Sequence, residues 1–240
     1  MNISNAIKKI QGRMNRACEK AHRDPQSVRL LLATKTVPVE KIKEAISLGY
    51  PLIGENKVQE IEEKYEGLRS IKHEKHFIGH LQTNKIKFLL RYGVECIQSV
   101  DRPKLVKKLQ NRLAFEKKEI DVFVQVNTSG EKSKFGVSPE KALDFIQYVS
   151  TFERLHIKGL MTIGLFSADE NKVRACFALL RQIRDEANQL ALTKEPIREL
   201  SMGMSKDLEI AIEEGATVIR VGTSIFGERP FPDSYYWNEG

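Results

Sequence analysis

Lys35 follows the run Leu30-Leu31-Leu32-Ala33-Thr34, so an amine stands at the end of a segment with the composition of a buried strand. Burial disfavours the charged form of lysine and lowers its pKa. An amine tuned in this way is a nucleophile toward aldehydes. The same pattern fits a strand-end lysine reaching into solvent, and on the residues alone the two readings stand level. A second group lies near the C-terminus: Val221-Gly222-Thr223-Ser224 ends one apolar run and Ser201-Met202-Gly203 the one before it. Glycine permits close backbone approach, and backbone N–H groups with hydroxyls bind anions. One such loop is no more than a turn; two in succession point to an anion. Arg220, three residues before Thr223, fits a ligand-facing cation or an internal salt bridge equally. Asn56 fits a ligand contact or a helix N-cap, and His80 a mouth residue or a loop histidine bonded to backbone. Lys134, in Gly130-Glu131-Lys132-Ser133-Lys134-Phe135-Gly136, reads as a solvated charge before an anion attractor. No Ser-His-Asp order and no metal-ligand spacing is present in the sequence.

These residues need a scaffold that brings them together. Strand-length apolar runs at 29–35, 52–55, 77–79, 94–100, 122–127, 157–163, 199–202 and 218–225 alternate with helical patterns near 39–48, 56–68, 83–91, 102–117, 139–150, 169–191 and 205–214. Parallel strands require such crossovers and are apolar almost throughout. Ser138-Pro139 and Ser205 supply helix starts, and Gly49 and Gly215 supply stops. Eight units predict an α/β fold, a closed (β/α)8 TIM barrel, over an open doubly wound sheet, because no Gly-x-Gly-x-x-Gly follows the first strand. Residues 1–25 form an extra amphipathic N-terminal helix with Ile3, Ile7, Ile10 and Met14 on one face. Without a composition break, residues 1–240 read as one domain that ends in an irregular tail at 230–240.

Composition narrows the classes. With 41% apolar and 30% charged residues the chain is ordinary for a globular protein. No run approaches the roughly 18 apolar residues of a membrane span, and no secretory signal is evident. Three isolated cysteines make neither a disulfide framework nor a zinc site and fit a reducing cytoplasm. The net charge of +7 is spread over mixed helices without a nucleic-acid motif, so it reads as a solvated basic surface.

The barrel then joins the two groups. Active sites of this fold lie at the C-terminal strand ends, with phosphate often held after strands seven and eight. Strand one neighbours strand eight in a closed barrel, so Lys35 and the Gly222-Thr223 and Ser201 loops face one cavity. A phosphorylated aldehyde bridging them is the natural ligand, and pyridoxal 5′-phosphate (PLP) is the commonest of these. A sugar-phosphate aldolase using Lys35 as its Schiff-base amine is a cofactor-free alternative.

LLLATKTVP (30–38), IGENKVQE (53–60), HFIGHLQTNK (76–85), VFVQVNTSGEKSKFGV (122–137), IKGLMTIG (157–164) and LSMGMSKDLEIAIEEGATVIRVGTSIFG (200–227) together cover nearly the whole chain. In these segments the sequence closely resembles the PLP homeostasis family (the YggS/PROSC type of PLP-binding barrel proteins). The resemblance implies a barrel like the N-terminal domain of alanine racemase. It implies PLP held as a Schiff base on Lys35, phosphate contacts at Ser201, Gly222 and Thr223, Arg220 facing the pyridine nitrogen, and Asn56 near the cofactor. The loop 127–136 departs from the family, which more often carries an acidic Ile-Ser-Asp-Glu-type stretch before Lys-Ser-Gly. Here Thr128-Ser129-Gly130-Glu131 precede Lys134-Phe135-Gly136.

Relatives of the alanine racemase and ornithine decarboxylase type complete their sites with an appended β-domain, for which this sequence leaves no room after the eighth unit. An arginine at the pyridine nitrogen would also weaken the ring as an electron sink. The expectation is a monomeric PLP carrier that stores, shields or delivers the cofactor without robust catalysis, with PLP-dependent apo-enzymes as receivers and no nucleic-acid or membrane partner. A weak PLP-dependent amino-acid racemase is the alternative.

Overall fold

The structure, a computed structural model, describes residues 2–227, so the tail expected at 230–240 lies outside the described residues. Eight parallel strands close into a barrel in sequence order. They are β1 (Arg29–Ala33), β2 (Leu52–Glu55), β3 (Glu74–Phe77), β4 (Cys96–Val100), β5 (Ile120–Gln125), β6 (Leu155–Met161), β7 (Glu199–Ser201) and β8 (Val218–Val221). The crossover helices are α2 (Val39–Ser47), α3 (Val58–Leu68), α4 (Ile86–Arg91), α5 (Pro103–Glu116), α6 (Ala142–Ser150), α7 (Glu170–Gln189) and α8 (Leu208–Glu213). An additional helix α1 (Ile3–Lys20) precedes β1, and a single turn α9 (Thr223–Phe226) follows β8.

Most of the apolar core lies between the strands and the helix ring, as in Leu30 and Leu32 of β1 against Ile42 and Ala45 of α2. Inside the barrel the filling is different. Leu31, Leu52 and Val218 form one small apolar cluster, and Cys96, Phe123 and Met161 another. Gly159 admits Phe123, because a Cβ there would lie 2.7 Å from the ring. Between these clusters stand buried polar side chains, His76, Gln98, Ser201 and Arg220.

Helix α1 is capped by the Asn2 side chain, which accepts from Asn5 N at 3.0 Å. It buries Ile3, Ile7, Ile10, Met14 and Ala17, the face its spacing predicts. It packs on α8 and α9, and Arg13 grips Glu209 with two hydrogen bonds of 2.6 and 2.7 Å. The helix thus braces the turn that follows β8.

Only β2 keeps its expected bounds, and the shifts at β3 and β8 bear most on the site. β3 runs from Glu74 to Phe77 instead of 77–79; Lys75 and His76 are buried, Lys75 bonded to the Tyr92 carbonyl after α4 and His76 to Gln98 of β4. β8 stops at Val221 instead of running to 225, and Thr223 opens α9. Ser205 does not cap α8. The N-cap position is Asp207, whose carboxylate accepts from Met204 N at 2.6 Å in the turn before the helix.

Candidate functional site

The C-terminal mouth of the barrel holds a cavity of about 440 Å³. Its lining includes Lys35, Asn56, Phe77, His80, Gln125, Lys134 and Phe135. Lys35 lies two residues beyond the end of β1, half-buried, with a positive φ of 26° that side-chain-bearing residues seldom adopt. The turn is held from two sides. Val37 N donates to Thr34 O at 2.6 Å. From α3, Lys64 Nζ donates to the Lys35 and Thr34 carbonyls, the latter at 3.4 Å, and to Glu55 Oε1 at 2.8 Å. Thr34 Oγ1 donates to the same Glu55 oxygen at 2.6 Å. Burial pushes the Glu55 carboxyl up to about 7 against the opposing pull of Lys64.

The β1–β8 seam brings Gly222 against Ala33, two residues before Lys35. Leu32 pairs with Val221, and the next position, Gly222, approaches β1 so closely that a Cβ would lie 2.9 Å from the Ala33 carbonyl oxygen. Thr223 and Ser224, the first residues of α9, are exposed on this rim. The first amides turned back into the helix are those of Ile225 and Phe226, which donate to Gly222 O.

Arg220 lies deeper, paired with Leu31 and 6% exposed. Its Nη1 donates to Ser201 Oγ and its Nη2 to the Thr162 carbonyl, both at 2.8 Å. Burial lowers its pKa to about 10, opposed by Asp207, so it is a cation at neutral pH. Beyond it the bonds continue across the barrel. Ser201 Oγ donates to Gln98 Oε1 at 2.6 Å, the Gln98 amide meets His76 Nδ1 at 2.7 Å, and His76 Nε2 meets Glu74 Oε1 at 2.8 Å. Each donor fixes the next acceptor, so with Glu74 ionised the donors all run from Arg220 toward Glu74. Glu74 also pairs with Arg29; its hydrogen bond with His76, then that with Arg29, holds its carboxyl down to about 2.

The expected site residues therefore fall into three places. Lys35 and Asn56 line the cavity; Gly222 and Thr223 lie on the β1–β8 seam and Arg220 and Ser201 are bonded to one another inside the barrel, none of these four among the residues that line the cavity. The Ser201 hydroxyl, expected near a phosphate, is committed to Arg220 and Gln98. Asn56 does not cap α3, since Lys57 stands at that N-cap, and its Oδ1 is buried without a hydrogen-bond partner among the described residues. His80 stacks on Phe135 across the mouth, with ring centroids 3.8 Å apart. Burial lowers its pKa, helped by Arg102 and opposed by Asp101. Lys134 is not a solvated charge. Its side chain is 8% exposed, pairs with Glu131, donates to Gly164 O at 2.6 Å and lies 4.7 Å from the centre of the Phe166 ring.

The sequence marks Glu55 only as a polar strand end, and gives no role to it or to Lys64, Gln98, His76 and Phe135. The available signal was the polar residue set in an otherwise apolar strand, as in Cys96-Ile97-Gln98-Ser99-Val100.

Residues 2–230 match the alanine racemase N-terminal domain family. A pyridoxal phosphate homeostasis protein of Aquifex aeolicus is 43% identical over 96% of this chain and 100% of its own length. The chain belongs to the pyridoxal phosphate homeostasis protein family. A family member from Pasteurella multocida is 36% identical over 96% of this chain and 99% of its own. Among solved structures, PipY of Synechococcus elongatus, described with PLP bound, superposes with a TM-score of 0.81 at 29% identity, covering 94% of this chain and 100% of that one. Alanine racemase of Clostridium difficile shares the barrel, with a TM-score of 0.74 at 12% identity over 93% of this chain and 60% of that one. As members of this family share the barrel, the expected (β/α)8 fold with its added N-terminal helix is the observed one.

Proposed function

We propose that this chain binds PLP as a Schiff base on Lys35 and serves PLP homeostasis, storing, shielding or delivering the cofactor without robust catalysis. The observation that supports the reading is the seam between β1 and β8, where Gly222 lies against Ala33, two residues before the cavity-lining Lys35. The donor set suits a phosphorylated aldehyde: an amine for the carbonyl, a hydroxyl and early α9 amides for the phosphate, a guanidinium for the ring nitrogen. Gly222, where a Cβ would crowd the Ala33 carbonyl, and the unsatisfied Asn56 Oδ1 are features of a site shaped for a ligand.

When bound, PLP supplies an aldehyde that condenses with amines and a ring that can accept electrons. The chain's own residues do the rest. Lys35 supplies the condensing amine. Thr223 and Gly222 would hold the phosphate, and Asn56 would contact the ring. Arg220, cationic and anchored by Ser201, opposes protonation of the ring nitrogen and so weakens the electron sink, which favours carriage over catalysis. His80 and Phe135 shield the mouth.

Borohydride reduction followed by peptide mapping tests the binding mode. The label is expected on the peptide containing Lys35, and Lys35→Ala is expected to lose it; a label retained in that variant overturns the assignment. The match to the alanine racemase N-terminal domain favours one alternative, a weak amino-acid racemase. Loss of α-deuterium from amino acids, abolished by Lys35→Ala, would establish that alternative. PLP transfer to an apo-enzyme without such exchange supports the carrier.

A further inference from the structure

The backbone at Lys35 is in a conformation that carries a cost for any residue with a Cβ, so something outside the turn must hold it. The only crossover helix whose side chain reaches both carbonyls of the turn, among the hydrogen bonds described, is α3. Lys64 Nζ donates to the carbonyls of Thr34 and Lys35 and is itself fixed by Glu55 Oε1 at 2.8 Å. The Lys64 and Glu55 side chains are 9% and 2% exposed. A buried ion pair gives little net stability compared with apolar side chains of the same volume. Here its hydrogen bonds converge on one strained turn. Thr34, between the strand and Lys35, donates to the same carboxylate, so three groups from β1, β2 and α3 meet beneath the lysine backbone.

We propose that Lys64 and Glu55 are positioning residues, a clamp that holds the Lys35 turn in the shape from which its amine meets the ligand aldehyde. Neither residue touches the ligand. The clamp acts on the direction of the Lys35 side chain and leaves the phosphate rim at Gly222 and Thr223 untouched. It rests on the reading of Lys35 as the condensing amine.

The experiment compares wild type with the double variant Glu55→Gln/Lys64→Met, which removes both charges and leaves no lone buried ion, and with Lys64→Arg. Stopped-flow absorbance follows imine formation when PLP is added to the apo-protein. Equilibrium dialysis measures affinity for pyridoxamine 5′-phosphate, which has the ring and phosphate but no aldehyde. The double variant is expected to condense with PLP slower by roughly tenfold to a hundredfold, the usual effect of a small misplacement of a reacting group. Its pyridoxamine 5′-phosphate affinity stays at the wild-type level. Lys64→Arg, which keeps donors at this position, recovers part of the rate. Condensation at the wild-type rate in the double variant overturns the clamp while leaving the assignment of Lys35 intact. Parallel loss of both ligands also overturns it, since the pair would then support the whole site and not the turn. A wild-type borohydride label on any peptide other than that of Lys35 removes the underlying reading instead.

Discussion

Thr223 and Gln98 act at two depths of the same barrel end, and single substitutions separate their roles. Thr223 presents an exposed hydroxyl at the first position of α9, beside the closest approach of β8 to β1. If that hydroxyl grips a phosphate, the bond is charge-assisted. Thr223→Ala is then expected to weaken PLP retention by about 1.5–3 kcal/mol in equilibrium dialysis without changing urea-unfolding stability. Unchanged affinity would remove Thr223 from the ligand site. Gln98 is not among the residues that line the mouth cavity. It is fully buried and joins Ser201 to His76, where a stranded donor or acceptor keeps its full desolvation cost. Gln98→Leu is expected to lower unfolding free energy by about 2–4 kcal/mol, since two buried groups lose a partner together. A loss below about 1 kcal/mol would mean that Ser201 and His76 find other partners. The same variant removes the acceptor that fixes the Ser201 hydroxyl bonded to Arg220, so the absorbance maximum of bound PLP is expected to shift with it.

At the scale of elements, the seam between β1 and β8 decides whether the amine and the rim share a ligand. Gly222 has a φ of −123°, which any residue can adopt, so its role is proximity and not backbone freedom. Gly222→Ala would place a methyl group 2.9 Å from the Ala33 carbonyl oxygen, and backbone on one side must move. The expected result is a loss of about 1–3 kcal/mol in unfolding free energy together with weaker PLP binding. Wild-type values for both would show that the seam has slack. Much of this architecture was legible in the sequence. Leu30-Leu31-Leu32-Ala33 and Val122-Phe123-Val124 announce strands because burial between barrel and helices leaves little place for polar residues. Lys35, Gly222 and Thr223 are expected site residues because their types stand at strand ends, where this fold carries its active sites. Glu74-Lys75-His76 gave no strand signal, since their burial depends on Arg29, Tyr92 and Gln98, which lie far off in the chain. Lys64 was likewise silent. On α3 its spacing is that of an inward position, but a lysine there reads as a surface residue until Glu55 and the Lys35 carbonyl are seen beside it. Ser201 is expected near a phosphate from its place on β7, yet the direction of its hydroxyl is set by Arg220 and Gln98, partners that no local pattern reveals.

Across the whole molecule, two carboxylates with opposite perturbations shape the pH dependence of stability. Glu74 is held at about 2 by hydrogen bonds with His76 and Arg29, against an ordinary value of 4.5. Its folded form binds a proton less readily than the unfolded chain, so its contribution is present above 4.5 and is lost as pH falls from 4.5 toward 2. Glu55 is raised from 4.5 to about 7 by burial. Its folded form holds a proton more readily, so its effect on stability declines as pH rises from 4.5 to 7 and levels off above that. The two limbs can be separated by subtraction. Glu74→Gln is expected to flatten the acid limb of the melting temperature, and Glu55→Gln the limb between 4.5 and 7, each measured against wild type by calorimetry across pH. The second limb falls in the range where the Glu55 carboxyl becomes a carboxylate beside Lys64, so the fully charged clamp forms where its cost to the fold is greatest. That is the arrangement expected of a buried pair retained for the turn it holds and not for stability. A wild-type melting profile that superposes on that of Glu55→Gln between pH 4.5 and 7 would show that the carboxyl titrates as it does in the unfolded chain, and the opposition of the two limbs would be lost.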